Sequence, residues 1–531
     1  MTVREREIQA GAENDYARWR HCFVSAFFVA MLGVTADAAP VTFNDPTPLP
    51  GAEFGTVALD GNHVLIGARF VGQAHLFDLT GNLLHTFDNP SVGGGGQFGQ
   101  DIALDGNNVL IGALGDSTFG FNFGQAHLFD ALTGNLLWTF NDPNATVNDR
   151  FGTSVALNGN KALIGAPAGG GRPGQAHLFD VLSGNLLRTF DDPTGIPDDD
   201  RCGHFGSSVA LDGNNVLIGV PGFCTIEPLH LVGQAHLFDA LTGNLLHTFD
   251  DPTPGAPRSI PGDQFGGQLA LDGNKVLIGA RFDDTHGENV GQAHLFDGDP
   301  QSPTFGDLLW TFDDPTPTTG DLFGSVALDG NNILIGARDD DTNGTNVGQA
   351  HLFDGDPLSP TFGNLLRTFN DPTPTTSDIF GAQLAIEGNN VLIGAKRDDT
   401  NGTDAGQAHL FSIAPGDYDD DFDVDGLDFL KWQRGESPNP LSQSDLAAWE
   451  ANYGTGGAPI QPGDFDGNGE VDGFDFLEWQ RDPSVGSLAD WEANYGIAVT
   501  LSAISAAVPE PTTSALALAA LCLAMSRRRS H

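Results

Sequence analysis

The sequence predicts a mainly β protein, a seven-bladed β-propeller closed by pairing of its N- and C-terminal strands, followed by a small α-helical calcium-binding module. Three observations predict the propeller. A unit opening on Phe-Gly recurs at Phe54, Phe98, Phe151, Phe205, Phe265, Phe323 and Phe380, and Gly-Gln-Ala-His-Leu-Phe follows each time from Gly72, Gly124, Gly174, Gly233, Gly291, Gly348 and Gly406. Self-similarity at this period marks an array of stacked supersecondary units. Each unit divides into four short β segments, and the last unit lacks a segment that stands spare ahead of the first.

Residues 205–252 show the unit. FGSSVALDG alternates, with Phe205, Ser207, Val209 and Leu211 on one face, and NNVLIGV is a short apolar run. Asp-Gly-Asn between them supplies the positive φ angles of a tight hairpin. GQAHLFDA and NLLHTFDD form a second pair joined by Leu-Thr-Gly-Asn, with Gly243 as the turn residue. Asp251-Pro252 then ends the fourth strand, because proline has no N–H to give to a ladder. Four antiparallel strands per unit are a propeller blade.

The chain ends decide between an open array and a ring. The fourth-strand signature Thr-Phe-Asn/Asp-Asp/Asn-Pro starts at Thr42, Thr86, Thr139, Thr189, Thr248, Thr311 and Thr368. Its first copy, in residues 41–46, precedes every Phe-Gly unit, and the last unit, 380–411, stops after its third strand. Pairing 41–46 with 408–411 completes a seventh blade and hides two sheet edges that would otherwise invite aggregation.

Phe151-Gly152, Gly165-Ala166-Pro167 and the following GQAHLF resemble an FG-GAP repeat, the blade unit of integrin α-subunit propellers. The resemblance spans 41–413, within a propeller domain set at 39–413. Integrin-type blades often carry a calcium loop between their first two strands; here that place holds only Leu-Asp-Gly-Asn, too short for a cage. The half-blade GQAHLFDALTGNLL is also similar to quinoprotein-type repeats.

Ahead of the propeller, Arg18 and Arg20 precede an apolar run over 22–34, and Ala36-Asp37-Ala38 offers small residues for cleavage. This reads as a secretory signal over 1–38, too short to span a membrane. The formal net charge is −47, from 70 acidic against 23 basic residues. Such a field repels nucleic acid and anionic membranes and favours cations; it also serves plain solubility.

Cys22 falls in the signal and Cys522 in the tail, leaving Cys202 and Cys224 on either side of the hairpin 205–220. In an oxidising compartment they are expected to form a disulfide, worth on the order of 3 kcal/mol. His75, His127, His177, His236, His294, His351 and His409 occupy one place in every blade, on the third strand. Equivalent positions lie far apart around a ring, so these are expected to be hydrogen-bonded interior residues rather than a metal site. The loops between second and third strands vary most, and three are acidic: 283–290, 339–347 and 398–405. Asp339, Asp341, Asn343 and Gly344 match the D-x-D-x-N-G opening of a calcium loop, without an acid at its twelfth position. These loops share one rim, the expected ligand-facing surface.

No Gly-x-Ser-x-Gly, His-Glu-x-x-His or Cys-x-x-Cys occurs. Acidic pairs such as Asp191-Asp192 and Asp250-Asp251 recur from blade to blade and read as framework. The sequence neither identifies nor excludes an enzyme, since a glycosidase needs one particular carboxylate pair in a pocket.

From Pro415 the chemistry changes. Asp464, Asp466, Asn468, Glu470 (through its carbonyl), Asp472 and Asp475 hold the positions of a twelve-residue calcium loop, and a helix is expected over 476–481. Asp417, Asp419, Asp421, Asp423, Asp425 and Asp428 form a second copy in which Phe422 replaces the turn glycine, so this site is expected to be weaker. LAAWEANYG and LADWEANYG follow the two loops as short helices ended by glycine. The pair of loop–helix units, in a module set at 414–498, resembles a type I dockerin. That resemblance implies calcium-dependent folding and a cohesin-like or other surface partner, although Gly426-Leu427 and Gly473-Phe474 depart from the family's usual Ser-Thr before the last ligand.

The tail, 499–531, holds Val508-Pro509-Glu510-Pro511, an apolar run over 514–525 and Arg527-Arg528-Arg529. This order resembles a PEP-CTERM sorting signal, implying processing near Pro509, Glu510 and Pro511 by an exosortase-type enzyme of a Gram-negative bacterium; a plain membrane anchor is the alternative. The expectation is an exported cell-surface or matrix protein whose non-catalytic propeller binds a glycan or protein ligand. Its rivals are a dockerin-bearing polysaccharide hydrolase or lyase and a quinone-cofactor oxidoreductase.

Overall fold

The computed structural model describes residues 40–91, 96–167, 174–194, 204–222, 233–254 and 262–413, with Phe429, Trp432–Arg434, Leu446 and Trp449. The chain divides into two compact units, 1–455 and 456–531, and the second lies wholly outside the described residues. So do the expected signal segment, Cys202 and Cys224, the ligand sets of both expected calcium loops and Pro509–Pro511.

Seven four-stranded antiparallel sheets form the first unit. Blades 1 to 6 run 54–88, 98–140, 155–191, 209–250, 268–313 and 323–370, each in simple meander order. Blade 7 takes three strands from 383–412 and its fourth, Val41–Asn44, from the chain start. The register pairs Val41 with Leu410, Thr42 with His409 and Phe43 with Ala408. The ring is therefore closed by both ends of the repeat region, as the count of fourth-strand signatures predicts.

One aromatic lattice runs through every blade. The Phe-Gly phenylalanines are fully buried and meet the third-strand phenylalanine edge-on, as Phe98 meets Phe129 at 6.2 Å and 86°. Each fourth-strand phenylalanine packs on the third-strand one of the next blade: Phe87 on Phe129 at 4.9 Å, Phe312 on Phe353 at 5.0 Å. Phe43 on Phe77 at 5.3 Å closes the circuit. Aromatic pairs at these spacings add to the area they bury.

Two glycine positions make this spacing achievable. The glycine near the end of each second strand faces the Phe-Gly glycine of the next blade so closely that a Cβ on Gly279 would stand 1.9 Å from Gly324 O, and one on Gly394 2.0 Å from Gly55 O. No side chain fits there. On the face bearing the first hairpins, each turn's acidic or amide side chain accepts from the next blade's turn glycine. Asp60 takes Gly106 N–H at 2.6 Å, Asn158 takes Gly213 at 3.0 Å, Asp329 takes Gly388 at 2.7 Å, and Glu387 returns to Gly61 at 2.6 Å.

The seven histidines are structural. Each sits fully buried on the third strand with Nδ1 about one hydrogen bond from the fourth-strand threonine: His127 to Thr139 at 3.1 Å, His294 to Thr311 at 3.1 Å, His409 to Thr42 at 3.0 Å. Burial holds His127, His177, His294 and His351 down to about 4 and His409 to about 3, so they are neutral at pH 7.

Later in the chain, Phe429 and Trp432–Arg434 are helical. Phe429 stacks on Trp432 at 5.5 Å and touches Trp449 at 4.7 Å.

Candidate metal centres at the blade junctions

The face opposite the first hairpins carries both the connections from one blade to the next and the loops between second and third strands. Three of its junctions gather carboxylates. The aspartate that precedes proline after a fourth strand meets the aspartate two residues before the next Phe-Gly, and an aspartate from that same blade's second loop completes the group. The sets are Asp251, Asp263 and Asp283; Asp314, Asp321 and Asp340; and Asp371, Asp378 and Asp398. In each set one carboxylate oxygen per residue lies within 4.8 Å of the others, and all nine residues are buried.

Local turns aim these groups. Asp251, Asp314 and Asp371 each use Oδ1 to take the N–H two residues on, from Thr253 at 2.9 Å, Thr316 at 2.8 Å and Thr373 at 2.8 Å. The loop aspartates repeat the device: Asp283, Asp340 and Asp398 take Thr285, Thr342 and Thr400 at 2.7, 2.8 and 2.8 Å. Such Asx turns fix one oxygen and leave the other to point away. Oδ2 of Asp251, Asp314 and Asp371 is buried with no hydrogen-bond partner.

Burial, with Asp263 and Asp283 beside it, pushes Asp251 up to about 7. Burial with Asp378 and Asp398 does the same to Asp371, and burial with Asp321 and Asp340 raises Asp314 to about 6. Asp321, Asp378 and Asp398 are raised for the same reasons. Three hard oxygen donors converging on one point, with orphaned buried oxygens among them, suit a divalent cation. A single perturbed carboxylate can signal an acid–base catalyst, but here the arrangement is built three times over, which is the pattern of binding sites rather than of one catalytic centre.

The other junctions hold fewer acids. At the entry to blade 1, Asp45 stands with Ala52 where the second aspartate would be; at blade 2, Asn89 and Gly96 leave Asp116 by itself. Blade 3 has Asp142 and Asp149, and blade 4 has Asp192 with Gly203 in the sequence at the second place.

The calcium-loop pattern read at Asp339, Asp341 and Asn343 is distributed differently. Asp339 lies 3.8 Å from Arg338 Nε, Asp341 takes Asn346 N–H at 2.7 Å, and Asn343 donates to Asn370 at 2.6 Å. The carboxylate of this loop that joins a cluster is Asp340, the residue between them. Asp251, read from the sequence as framework, is likewise a cluster member. Reading by contiguous motif missed the triads because their members lie 12 and 20 residues apart in the first of them. The signal that finds them is the aspartate two before Phe-Gly, present at Asp149, Asp263, Asp321 and Asp378 only.

Comparison with known families falls on these same segments. Residues 141–179, 260–296, 317–353 and 374–411 match the FG-GAP repeat model. The chain carries FG-GAP repeats. All four matched FG-GAP segments are those with that aspartate, and three of them contain two members of a complete triad. No curated protein matches the chain.

Proposed function

We propose that this chain is an exported, non-catalytic binding or adhesion protein whose FG-GAP propeller displays a rim set by calcium. The observation that carries the reading is the threefold buried carboxylate cluster beneath consecutive rim loops. Asp251, Asp263 and Asp283 would hold one ion, Asp314, Asp321 and Asp340 a second, and Asp371, Asp378 and Asp398 a third. Calcium suits an all-oxygen donor set of variable denticity. The loop from each site continues onto the next junction: Gly320, Leu322 and Phe323 donate to Glu288, Asn289 and Val290, and Phe380 donates to Val347. An ion at one junction thereby orders the surface beside the next.

The sequence supports the remainder of the reading. The acidic rear module, with its two dockerin-like loops, would bind calcium and tether the propeller to a cohesin-like or other surface partner. The PEP-CTERM-like tail would direct processing by an exosortase-type enzyme. The test is a glycan and protein binding screen of the full chain in calcium and in excess chelator, alongside calcium titration of wild type and of the triple variant Asp251→Asn, Asp314→Asn, Asp371→Asn. The expected result is a stoichiometry lower by three ions in the variant and ligand binding that needs calcium. Equal stoichiometries would refute the cation sites, and hydrolysis of a screened glycan would refute the non-catalytic reading.

A further inference from the structure

In a chain with 23 basic against 70 acidic residues, basic side chains collect at one place. Arg69, Arg281, Arg338 and Lys396 each directly follow the last residue of a second strand, in blades 1, 5, 6 and 7. Those four blades are consecutive, because blade 7 closes onto blade 1. The same position holds Leu114, Pro167 and Pro221 in blades 2 to 4. Arg397 adds a fifth charge.

These residues lean toward the propeller axis. The first strands of successive blades contact one another and are innermost. Arg69 Nη1 donates to Gln100 on blade 2's first strand at 2.7 Å, and Arg281 Nε to Gln264, next to blade 5's Phe265, at 3.1 Å. Lys396 and Arg281 pack so tightly on the first strands of blades 1 and 6 that a Cβ on Gly55 or Gly324 would come within 2.9 and 3.1 Å of their Cα atoms. Lys396 feels Arg69, Arg338 and Arg281, and its own charge reaches Asp101 of blade 2.

The acids nearby are already engaged. Glu53 pairs with Arg69 at 2.5 Å and reaches Arg397 at 3.7 Å, Asp339 lies 3.8 Å from Arg338, and Asp101 accepts Val155 N–H at 2.7 Å. Nε of Arg69 remains buried without a hydrogen-bond partner, and Nε of Arg338, also without one, has only the 3.8 Å ion-pair contact to Asp339. Guanidinium groups present their donors as a planar fork that matches carboxylate and phosphate oxygens. Crowded like charges with spare buried donors are the arrangement an anion completes.

We propose that this axial patch binds a compact oxyanion, a carboxylate or phosphate group, and that this group is the anchoring point of the propeller's ligand. The inference rests on the reading of the propeller as a binding module and gives its ligand a chemical class. A compact anion is specified because acidic loops flank the patch on the same face, with Asp284, Glu288, Asp341, Asp399 and Asp404 among them; an extended polyanion would meet their repulsion.

The experiment titrates inorganic phosphate (in chelator) and glucuronate (in chelator and in calcium) into the full-length protein at constant ionic strength. Heat and thermal midpoint are both followed. Saturable binding is expected, weakened at least tenfold in Arg338→Gln and in Lys396→Met and unchanged in Lys275→Gln, which lies on the opposite face. Without anion, Lys396→Met is expected to raise the midpoint, since it removes a crowded charge; with anion, wild type gains and the variant does not. The relative response to phosphate and glucuronate identifies which oxyanion the patch takes. Equal anion responses in wild type and both patch variants overturn the proposal, as does tighter binding of polygalacturonate or polyglutamate than of either monomer. Loss of anion binding with an intact calcium effect defeats this inference alone, whereas anion binding with no calcium effect defeats the cation reading alone.

Discussion

Blades 5 to 7 and blades 1 to 4 share one frame and differ in what is hung on it. In both halves the Phe-Gly phenylalanine is fully buried, the third-strand histidine holds the fourth-strand threonine, and the aromatic pairs between blades sit near 5 Å. Only in blades 5 to 7 do three aspartates converge at the blade entry among the described residues. Blades 1 and 2 close without them, so the carboxylate clusters are not required to build a blade. They bury like charges beside one another, which costs folding energy unless something neutralises them. A feature that the fold does not need and that costs stability while its charges go unneutralised supports the cation sites proposed above.

The largest effect should be blind to this difference. Phe98→Ala in blade 2 and Phe380→Ala in blade 7 each remove a fully buried ring and its edge-on partner, Phe129 or Phe411. Each should cost about 3–5 kcal/mol, measured by urea unfolding, and the two losses should match with calcium present or absent. If the blade 7 loss grew markedly in chelator, the frame and the cation sites would not be separable, and the comparison between the halves would fail.

A smaller effect separates the halves by pH. A carboxyl whose folded pKa lies above its unfolded value favours the fold at low pH, and that contribution is lost as pH rises from about 4 toward the folded pKa. Asp251 and Asp371, held near 7, and Asp314 and Asp378, near 6, thus weaken the ion-free protein across that window. The histidines act oppositely. All seven are lowered by burial, five of them to about 4 or 3 against an unfolded value of about 6.5, so their contribution is full above 6.5 and is lost as pH falls toward 4. In chelator the two trends offset each other; in calcium the carboxylates stay ionised and the histidine trend stands by itself. The urea midpoint between pH 5 and 7 should therefore rise with pH more steeply in calcium than in chelator. Asp251→Asn with Asp371→Asn should restore the steeper rise in chelator. Identical slopes for wild type and double variant in chelator would mean these carboxyls do not titrate in that range.

How much of this was legible follows from how each feature is encoded. The blades, their strand order and the circular closure are written locally and repeated, so Phe-Gly, Gly-Gln-Ala-His-Leu-Phe and Thr-Phe carry them without any alignment. The histidines' interior role was legible because one recurs at the same place in every blade, too far apart around a ring to share a ligand; the threonine each one meets was not. The triads were not. Asp250 and Asp251 are neighbours of one type, and nothing local says that Asp250 accepts from Gln234 at the edge of the sheet while Asp251 turns into the junction. The basic patch was less legible still. It needs blade 7 to stand beside blade 1, which brings Lys396 near Arg69 across more than three hundred residues of chain.

The smallest effect concerns the opposite face, where the halves are again alike. The circle of turn contacts includes acceptors Asp212, Asp272 and Asp329, and an amide, Asn158, already serves at one place with a 3.0 Å bond to Gly213. Hydrogen bonding rather than charge is therefore what the circle requires. Asp329→Ala should cost about 0.5–1.5 kcal/mol, the value of one hydrogen bond. Asp329→Asn should cost less than about 0.5 kcal/mol, the scale of an exposed surface change, and should turn favourable at low salt, because the neighbouring turns are also acidic and Glu387 is already held up by burial and by Asp60 and Asp329. Asp60→Asn in blade 1 should behave the same way. If the asparagine variants lost as much as alanine, and lost it only when calcium was present, the carboxylate ring would itself be holding cations, and the division of the molecule into an arc with buried carboxylate triads and one without them would have to be redrawn face by face.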